Sequence, residues 1–338
     1  MLIDVGRAVR RRWIPVALMA GAAGLAGVAP AVAAPASVVD CNTNPNALQP
    51  AITAASPGDT LLMRGTCTGP FTIDKNLALW GLGQAVLDGN QAGTTVTVNS
   101  GARVYLEHLV ITNGSQGGVF NQGTLAVNDS TVKGNNTPGA GGGIFNANSG
   151  TMQVSRSTVS GNYSTGAGGG INNNGSLTVR DSEVFGNSAD NGGGIANVSD
   201  SATATVTRSA VHDNIARVLE GGGISNSVGT LTLSDSVVYA NTAPHGGGIE
   251  NDSNGTMRVI RSRVAHNTAS VQGGGLYVVG GTVALDQSAV VRNTAGGRTG
   301  SGGGIYADGG TVTLNRSAVR ENNPDNCAPP GSVAGCTS

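Results

Sequence analysis

Gly221-Gly-Gly-Ile224-Ser-Asn226-Ser-Val-Gly229-Thr-Leu-Thr-Leu233-Ser-Asp235-Ser-Val-Val-Tyr-Ala-Asn241 is one unit of a repeat that covers most of this chain. Its opening element, Gly-Gly-Gly-Ile or once Leu, ends at Ile144, Ile171, Ile195, Ile224, Ile249, Leu276 and Ile305, and a weaker Gly-Gly-Val copy ends at Val119. Successive copies lie 24 to 29 residues apart. A second element, Gly-Thr-apolar-x-apolar, recurs at Gly123 to Val127, Gly150 to Val154, Gly229 to Leu233 and Gly310 to Leu314. A third, Ser-x-Val-x-x-Asn, places Asn135, Asn162, Asn187, Asn214, Asn241, Asn267, Asn293 and Asn322 in register, with Asn113 as a looser copy. Each element alternates over four or five residues between Gly, Asn or Ser punctuation, which is a strand signal, and none is long enough for a helix. Three strands per unit, repeated without helices, predict an all-β fold: one turn of a parallel β-helix per unit, about ten coils in all. The expected spacing between coils is about 4.8 Å.

Composition agrees with that reading. Of 338 residues 55 are Gly and only 11 are Phe, Trp or Tyr, while 38% are apolar. That is too many apolar residues for a disordered chain, and too few large ones for a conventional core. A narrow tube filled by pairs such as Leu125 and Val127, Leu177 and Val179, or Val283 and Leu285 needs only small and medium side chains. Repeated Gly is expected to supply positive φ at the corners. The repeated Asn is expected to take the left-handed conformation and bond to its neighbours in a ladder. A second, shorter ladder is expected at Asn121, Asn146, Asn173, Asn197, Asn226 and Asn251. The residue before each repeated Ser reads Asp129, Arg156, Asp181, Arg208, Asp235, Arg261, Gln287, Arg316. Burial of unpaired charge is costly, so this column marks an exposed corner with alternating signs that fix register.

Residues 1–36 read as an export signal: Arg7, Arg10, Arg11 and Arg12, an apolar run from Trp13 to Val28, then small residues, with cleavage after Ala33 or Ala36. Residues 37–338 then form a single domain without a transmembrane segment: a cap and irregular coils over 41–118, regular repeats over 119–322 and a closing segment over 323–338. Without residues 1–36 the chain carries 15 basic and 19 acidic residues, which leaves no basic footprint for nucleic acid. Cys41, Cys67, Cys327 and Cys336 form one pair near each end. In an exported chain this favours disulfides Cys41–Cys67 and Cys327–Cys336; a zinc site is the rival reading, but no His lies nearby in sequence. Asn46 to Ser56 has helical apolar spacing interrupted by Pro50 and is expected to cap the open end of the coil stack. After it Leu61, Leu62, Phe71, Ile73, Leu77, Leu79 and Val86 are expected to point inward.

The Gly-Gly-Gly-Ile and Val-x-x-Asn elements resemble the right-handed parallel β-helix repeats of the pectin-lyase-like superfamily, in particular those of the polymorphic outer membrane protein type. The stretch from Leu48 through Pro57-Gly-Asp59, Gly65-Thr-Cys67, Lys75-Asn76 and Leu87-Asp-Gly89 is similar to the entry coil of its secreted members. Val stands where that repeat type has Phe, and no outer-membrane barrel sequence follows. The resemblance implies a secreted or envelope protein, and the superfamily includes polysaccharide lyases and hydrolases. Lyases of this shape hold calcium with acidic residues, so calcium is expected only if the chain is a lyase; otherwise no cofactor is expected.

No Asp-Asp pair and no hydrolase Asn-Thr-Asp signature occurs. The best local candidate arises by stacking: Glu220, His245 and Gln272 precede Gly-Gly-Gly in three successive units, with Glu250 close by and Arg217 upstream. Polar residues are also the ordinary content of loops between coils. His108 stands where later units have Ser and reads as a corner residue. The uniformity of the repeats favours a non-catalytic, monomeric protein whose faces bind a surface, a glycan or a protein, adhesin-like or structural. The alternative is a polysaccharide lyase or glycoside hydrolase acting at Glu220, His245 and Glu250. An ice- or crystal-binding face requires a flat Thr ladder, and the sequence suggests no full Thr column.

Overall fold

The computed structural model describes residues 37–296 and 298–336; the expected export signal lies outside them. The chain winds into a parallel β-solenoid in which every strand pairs with its counterpart one coil away. The Gly-Gly-Gly-Ile element forms Ile224–Asn226 and its equivalents, which stack into an 11-stranded sheet, so the described residues make eleven coils rather than ten. Thr230–Ser234 and Val237–Tyr239, with their equivalents, form a 21-stranded sheet whose two arms are joined in the early coils by the long strands Leu77–Asp88 and Arg103–Thr112. A fourth short strand follows the repeated Asn, as in Thr242–His245, and seven such strands form a third sheet. It escapes the sequence pattern because only one or two of its residues face inward, usually a buried Ala such as Ala216, Ala243 or Ala269.

Each coil therefore contributes a small core set, for example Ile224, Leu231, Leu233 and Val238, all fully buried. Among the described residues Phe71, beside the cap, is the one buried aromatic side chain. Two of the expected inward residues turn out differently: Leu62 and Val86 are only part-buried, while Met63, Ala85 and Leu87 are buried. Both sit at even-numbered positions of strands whose buried residues fall at odd-numbered positions throughout, so they face outward.

The Asn ladder forms over all eight residues. Each side-chain Nδ2 donates to the Oδ1 of the next coil's Asn at 2.9–3.0 Å, from Asn135 to Asn322. These residues are not left-handed; the residue before each one is, as with Gly134, Asp213, Ala240 and His266. Asn113 occupies that preceding position and is not a rung, and Gly114 donates its N–H to Asn135 Oδ1 in its place. The second ladder, Asn121 to Asn251, forms with contacts of 2.7–2.8 Å. A third ladder was not foreseen: the backbone N–H of each repeated Ser donates to the hydroxyl of the next, as from Ser182 to Ser209 and from Ser209 to Ser236.

The three glycines have separate tasks. Gly221 has φ +68°, whereas a Cβ on Gly223 would sit 2.7 Å from the Gly248 carbonyl and 2.8 Å from the Asn241 amide. Only the first glycine makes the corner; the third is needed because the next coil's backbone and the ladder close over it.

The charged column is a corner, since Asp129, Arg156, Asp181, Arg208, Asp235 and Arg261 all have φ between 44° and 50°. It is built of discrete pairs rather than a continuous ladder. Arg156 donates bidentately to Asp129, Arg208 to Asp181 and Arg261 to Asp235 at 2.6–2.9 Å. His108 also takes this left-handed corner position, and Leu109, not His108, is the equivalent of the repeated Ser. These guanidinium and carboxylate groups are exposed, so solvent screens them. Arg208→Ala is expected to leave the thermal unfolding midpoint unchanged, as read by circular dichroism; a large drop would mean the pairs hold the stack together.

Both ends are closed. Leu48–Ala54 is helical, with Leu48 and Ile52 buried, and Pro50 sits in its first turn, where a missing N–H costs nothing. Gln49 donates from Nε2 to the Thr72 carbonyl at 3.2 Å and accepts from the Thr72 N–H at 2.8 Å, so a side-chain amide covers the open strand edge. Disulfides join Cys41 to Cys67 and Cys327 to Cys336. At the far end Cys327–Ala328 pairs with Ile305–Ala307, and buried Asp325 accepts the Gly300 and Gly302 N–H groups at 2.6 and 2.7 Å.

The register gives Thr a nearly complete column, interrupted once by Ser176. Thr124, Thr151, Ser176, Thr203, Thr230, Thr256, Thr282 and Thr311 occupy one column on successive strands, and all but Thr124 are exposed. The adjacent outward column is broken by Gln153, Arg258 and Ala284, so no flat two-column hydroxyl array results.

Candidate functional site

The middle residue of each strand in the 11-stranded sheet points away from the core. In coil order this column reads Thr72, Thr97, Phe120, Phe145, Asn172, Ala196, Ser225, Glu250, Tyr277, Tyr306 and Ala328. Its polar centre is flanked by aromatic pairs. The Phe120 and Phe145 ring centroids are 5.5 Å apart, and so are those of Tyr277 and Tyr306. Beside the column run the residues that precede the glycine triplets, where Glu220 bridges to His245 and His245 pairs with Gln272. On the other side Asp252 follows the last rung of the second Asn ladder.

Glu250 sits at the centre with 1% of its surface exposed. Ser225 Oγ donates to its Oε2 at 2.6 Å, while Oε1 is buried without a partner. Burial drives the Glu250 pKa up to about 8, and the negative charges of Glu220 and Asp252 add to the effect against the Ser225 and Asn226 hydrogen bonds. Glu250 therefore keeps its proton at neutral pH. Glu220, Glu250 and Asp252 each place a carboxylate oxygen within 4.8 Å of the other two. Burial and then the Asp252 charge raise the Glu220 pKa. Burial lowers the pKa of His245, which keeps its imidazole neutral. The His245 ring lies 4.7 Å from Tyr277, whose phenol burial pushes up to about 12.

The structure thus brings Glu220, His245 and Glu250 together as the stacking suggests, and adds Asp252 and Tyr277. Both additions follow from the register: Asp252 lies two residues beyond Glu250, and Tyr277 is its partner on the next strand. Arg217 is not part of this cluster. It donates to Asp190 at 2.6 Å and to the Tyr163 hydroxyl at 2.6 Å, and stands 4.4 Å from the centre of the Tyr163 ring, so it ties three coils together elsewhere. A second acidic cluster, Glu107, His108 and Asp129, is engaged otherwise, because Arg156 occupies Asp129 and Asn128 donates to Glu107.

Orphaned acceptors continue along this face. Asn172 Oδ1, Asn174 Oδ1, Asn191 Oδ1, His245 Nδ1 and Glu250 Oε1 are buried without a hydrogen-bond partner. Asn172 lies three strands from Glu250 in the outward column, about 14 Å at the usual strand spacing. Asn191 lies one coil from Glu220. Unmet buried polar atoms are uncommon, and their collection on one face makes it the candidate site.

No family model matches the chain. No curated protein matches it either. Among solved structures, the crystal structure of pectate lyase Pel9A aligns over 86% of this chain and 84% of its own, at 14% identity and a TM-score of 0.50. That of an alginate lyase from Paenibacillus sp. aligns over 88% and 99% at 15% identity, with a TM-score of 0.30. With its stacked parallel sheets and the Pel9A alignment, the chain is a right-handed parallel β-helix repeat protein of pectate-lyase-like fold.

Proposed function

We propose that this protein is an extracellular, non-catalytic glycan-binding solenoid. Its binding strip runs along the outward column from Phe120 to Tyr306. The observation that carries the reading is the set of buried polar atoms without partners at Asn172, Asn174, Asn191, His245 and Glu250. A ligand rich in hydroxyl donors answers that need, and aromatic side chains at both ends of the strip suit the apolar faces of sugar rings. Two disulfides fit an oxidising compartment.

A second reading is favoured by one feature. Protonated Glu250 beside the carboxylates of Glu220 and Asp252 has the make-up of a general acid with a base, so the same cluster supports a polysaccharide hydrolase or lyase. The test is retention of residues 37–338 on insoluble neutral, acidic and amino polysaccharides, with released reducing ends and unsaturated ends assayed in the same samples, with and without calcium. Retention without product is expected. Product formation that disappears in a Glu220→Ala, His245→Ala double variant would replace the binding reading with the enzyme, and retention on no polysaccharide would overturn both.

A further inference from the structure

We infer that the glycan recognised by this strip carries a primary ammonium group, as an amino-sugar polymer does, and that Glu220, Glu250 and Asp252 together receive it. This inference rests on the glycan-binding reading and names its ligand class.

The argument begins with the sign of the charge. The charges acting on Glu250 are those of Glu220 and Asp252, and both are negative. Arg217, the nearest cation in sequence, is committed to Asp190 and Tyr163. A uronic acid polymer would bring further negative charge to this point, and like charges at close range repel. A cationic ligand relieves the mutual repulsion of the Glu220 and Asp252 carboxylates beside the protonated Glu250.

Valence then selects the kind of cation. An ammonium group has three N–H donors and no acceptor. Three oxygens hydrogen-bonded to one tetrahedral ammonium at charge-assisted distances lie about 4.7 Å apart. The three carboxyl groups offer oxygens within 4.8 Å of one another, a complete set of acceptors for one ammonium. Calcium takes six to eight oxygens, so the same three residues supply only part of its shell. The remaining features also suit an organic cation. Tyr277 stands against the cluster as an aromatic neighbour. The orphaned atoms on Asn172, Asn174 and Asn191 are amide oxygens, and a sugar ring with amine and hydroxyl donors serves all three. Glu220 and Asp252 are only part-buried, which leaves both open to solvent beside Glu250.

The experiment is isothermal titration of residues 37–338 with glucosamine oligomers, with the N-acetylated oligomers of equal length, with galacturonate oligomers and with calcium chloride alone, the sugar titrations being run in the presence of a chelator. The glucosamine oligomers are expected to bind at least tenfold more tightly than the N-acetylated ones, a factor equivalent to about 1.4 kcal/mol. Glu220→Gln and Asp252→Asn are each expected to remove that preference while leaving weak binding of the neutral oligomer. Asp74→Asn, at a carboxylate whose side chain is 66% exposed, is expected to keep it, which separates the site from general attraction of a polycation. Equal affinity for both oligomers overturns the ammonium inference and leaves glycan binding intact. Calcium binding that Glu220→Gln abolishes, without amine selectivity, also overturns it in favour of a metal site. Binding of no oligomer overturns the glycan reading itself. Circular dichroism of each variant confirms that loss of binding is not loss of fold.

Discussion

Asn214→Ala is expected to destabilise the coil stack by roughly 3–6 kcal/mol, because it leaves two to three buried groups unpaired at about 1–3 kcal/mol each. In the native ladder Asn214 Oδ1 accepts from the backbone N–H of Asn187 at 3.1 Å and from its side-chain amide at 3.0 Å. Asn214 Nδ2 donates to the Val184 carbonyl at 3.0 Å and to Asn241 Oδ1 at 3.0 Å. Truncation orphans the Asn187 N–H and one amide hydrogen of Asn187, and removes a donor from the Val184 carbonyl. Asn241 Oδ1 keeps the backbone N–H of residue 214, so the damage falls on the N-terminal side. In a solenoid each coil contacts only its neighbours, so the loss is local before it is global. Hydrogen exchange is therefore the measurement of choice. Protection is expected to collapse first for the coils around Val184 to Asn241, with a lowered melting midpoint for the whole chain. An unchanged exchange pattern would mean that water replaces the ladder at little cost.

Glu250→Gln has an effect whose size depends on pH. The folded chain holds the Glu250 proton up to about pH 8, whereas an unperturbed Glu loses it near 4.5. Between these values the native state binds more protons than the unfolded state, so stability falls as pH rises and levels off above about 8. The full penalty is of order 5 kcal/mol, at about 1.4 kcal/mol for each pH unit between the two values. Gln cannot ionise, and its carbonyl retains the Ser225 hydroxyl as donor. The variant is therefore expected to match the native chain near pH 4.5 and to exceed its stability by several kcal/mol at pH 9. Denaturant unfolding across that range is the check. Parallel curves for the two proteins would show that Glu250 is ionised and balanced by a bound cation.

Much of this molecule is legible from one repeat unit, because a solenoid stacks like residues on like. A Ser-x-Val-x-x-Asn pattern that recurs every 25 to 29 residues places its Asn in contact with the next Asn whatever the details of the loops between. The coil, the inward pairs, both Asn ladders, the charged corner, the capping helix and the two disulfides follow from that periodicity or from the breaks in it at each end. The repeat did not reveal the fourth strand, whose inward residue is often a single Ala, or the tasks of the second and third glycines, which depend on the proximity of the adjacent coil.

The candidate site lies between these extremes. The stacking of Glu220 and His245 can be read from their common place before a glycine triplet, and Glu250 from its position in the unit. The inclusion of Asp252 and Tyr277, the exclusion of Arg217 and the proton held on Glu250 cannot. Sequence alone determined the architecture of this protein, because a backbone ladder of fixed spacing converts periodicity directly into neighbourhood. Only the tertiary structure decided its chemistry: whether a carboxyl group is charged depends on how deeply its neighbours bury it, and whether an arginine reaches it depends on which partner that arginine has already found.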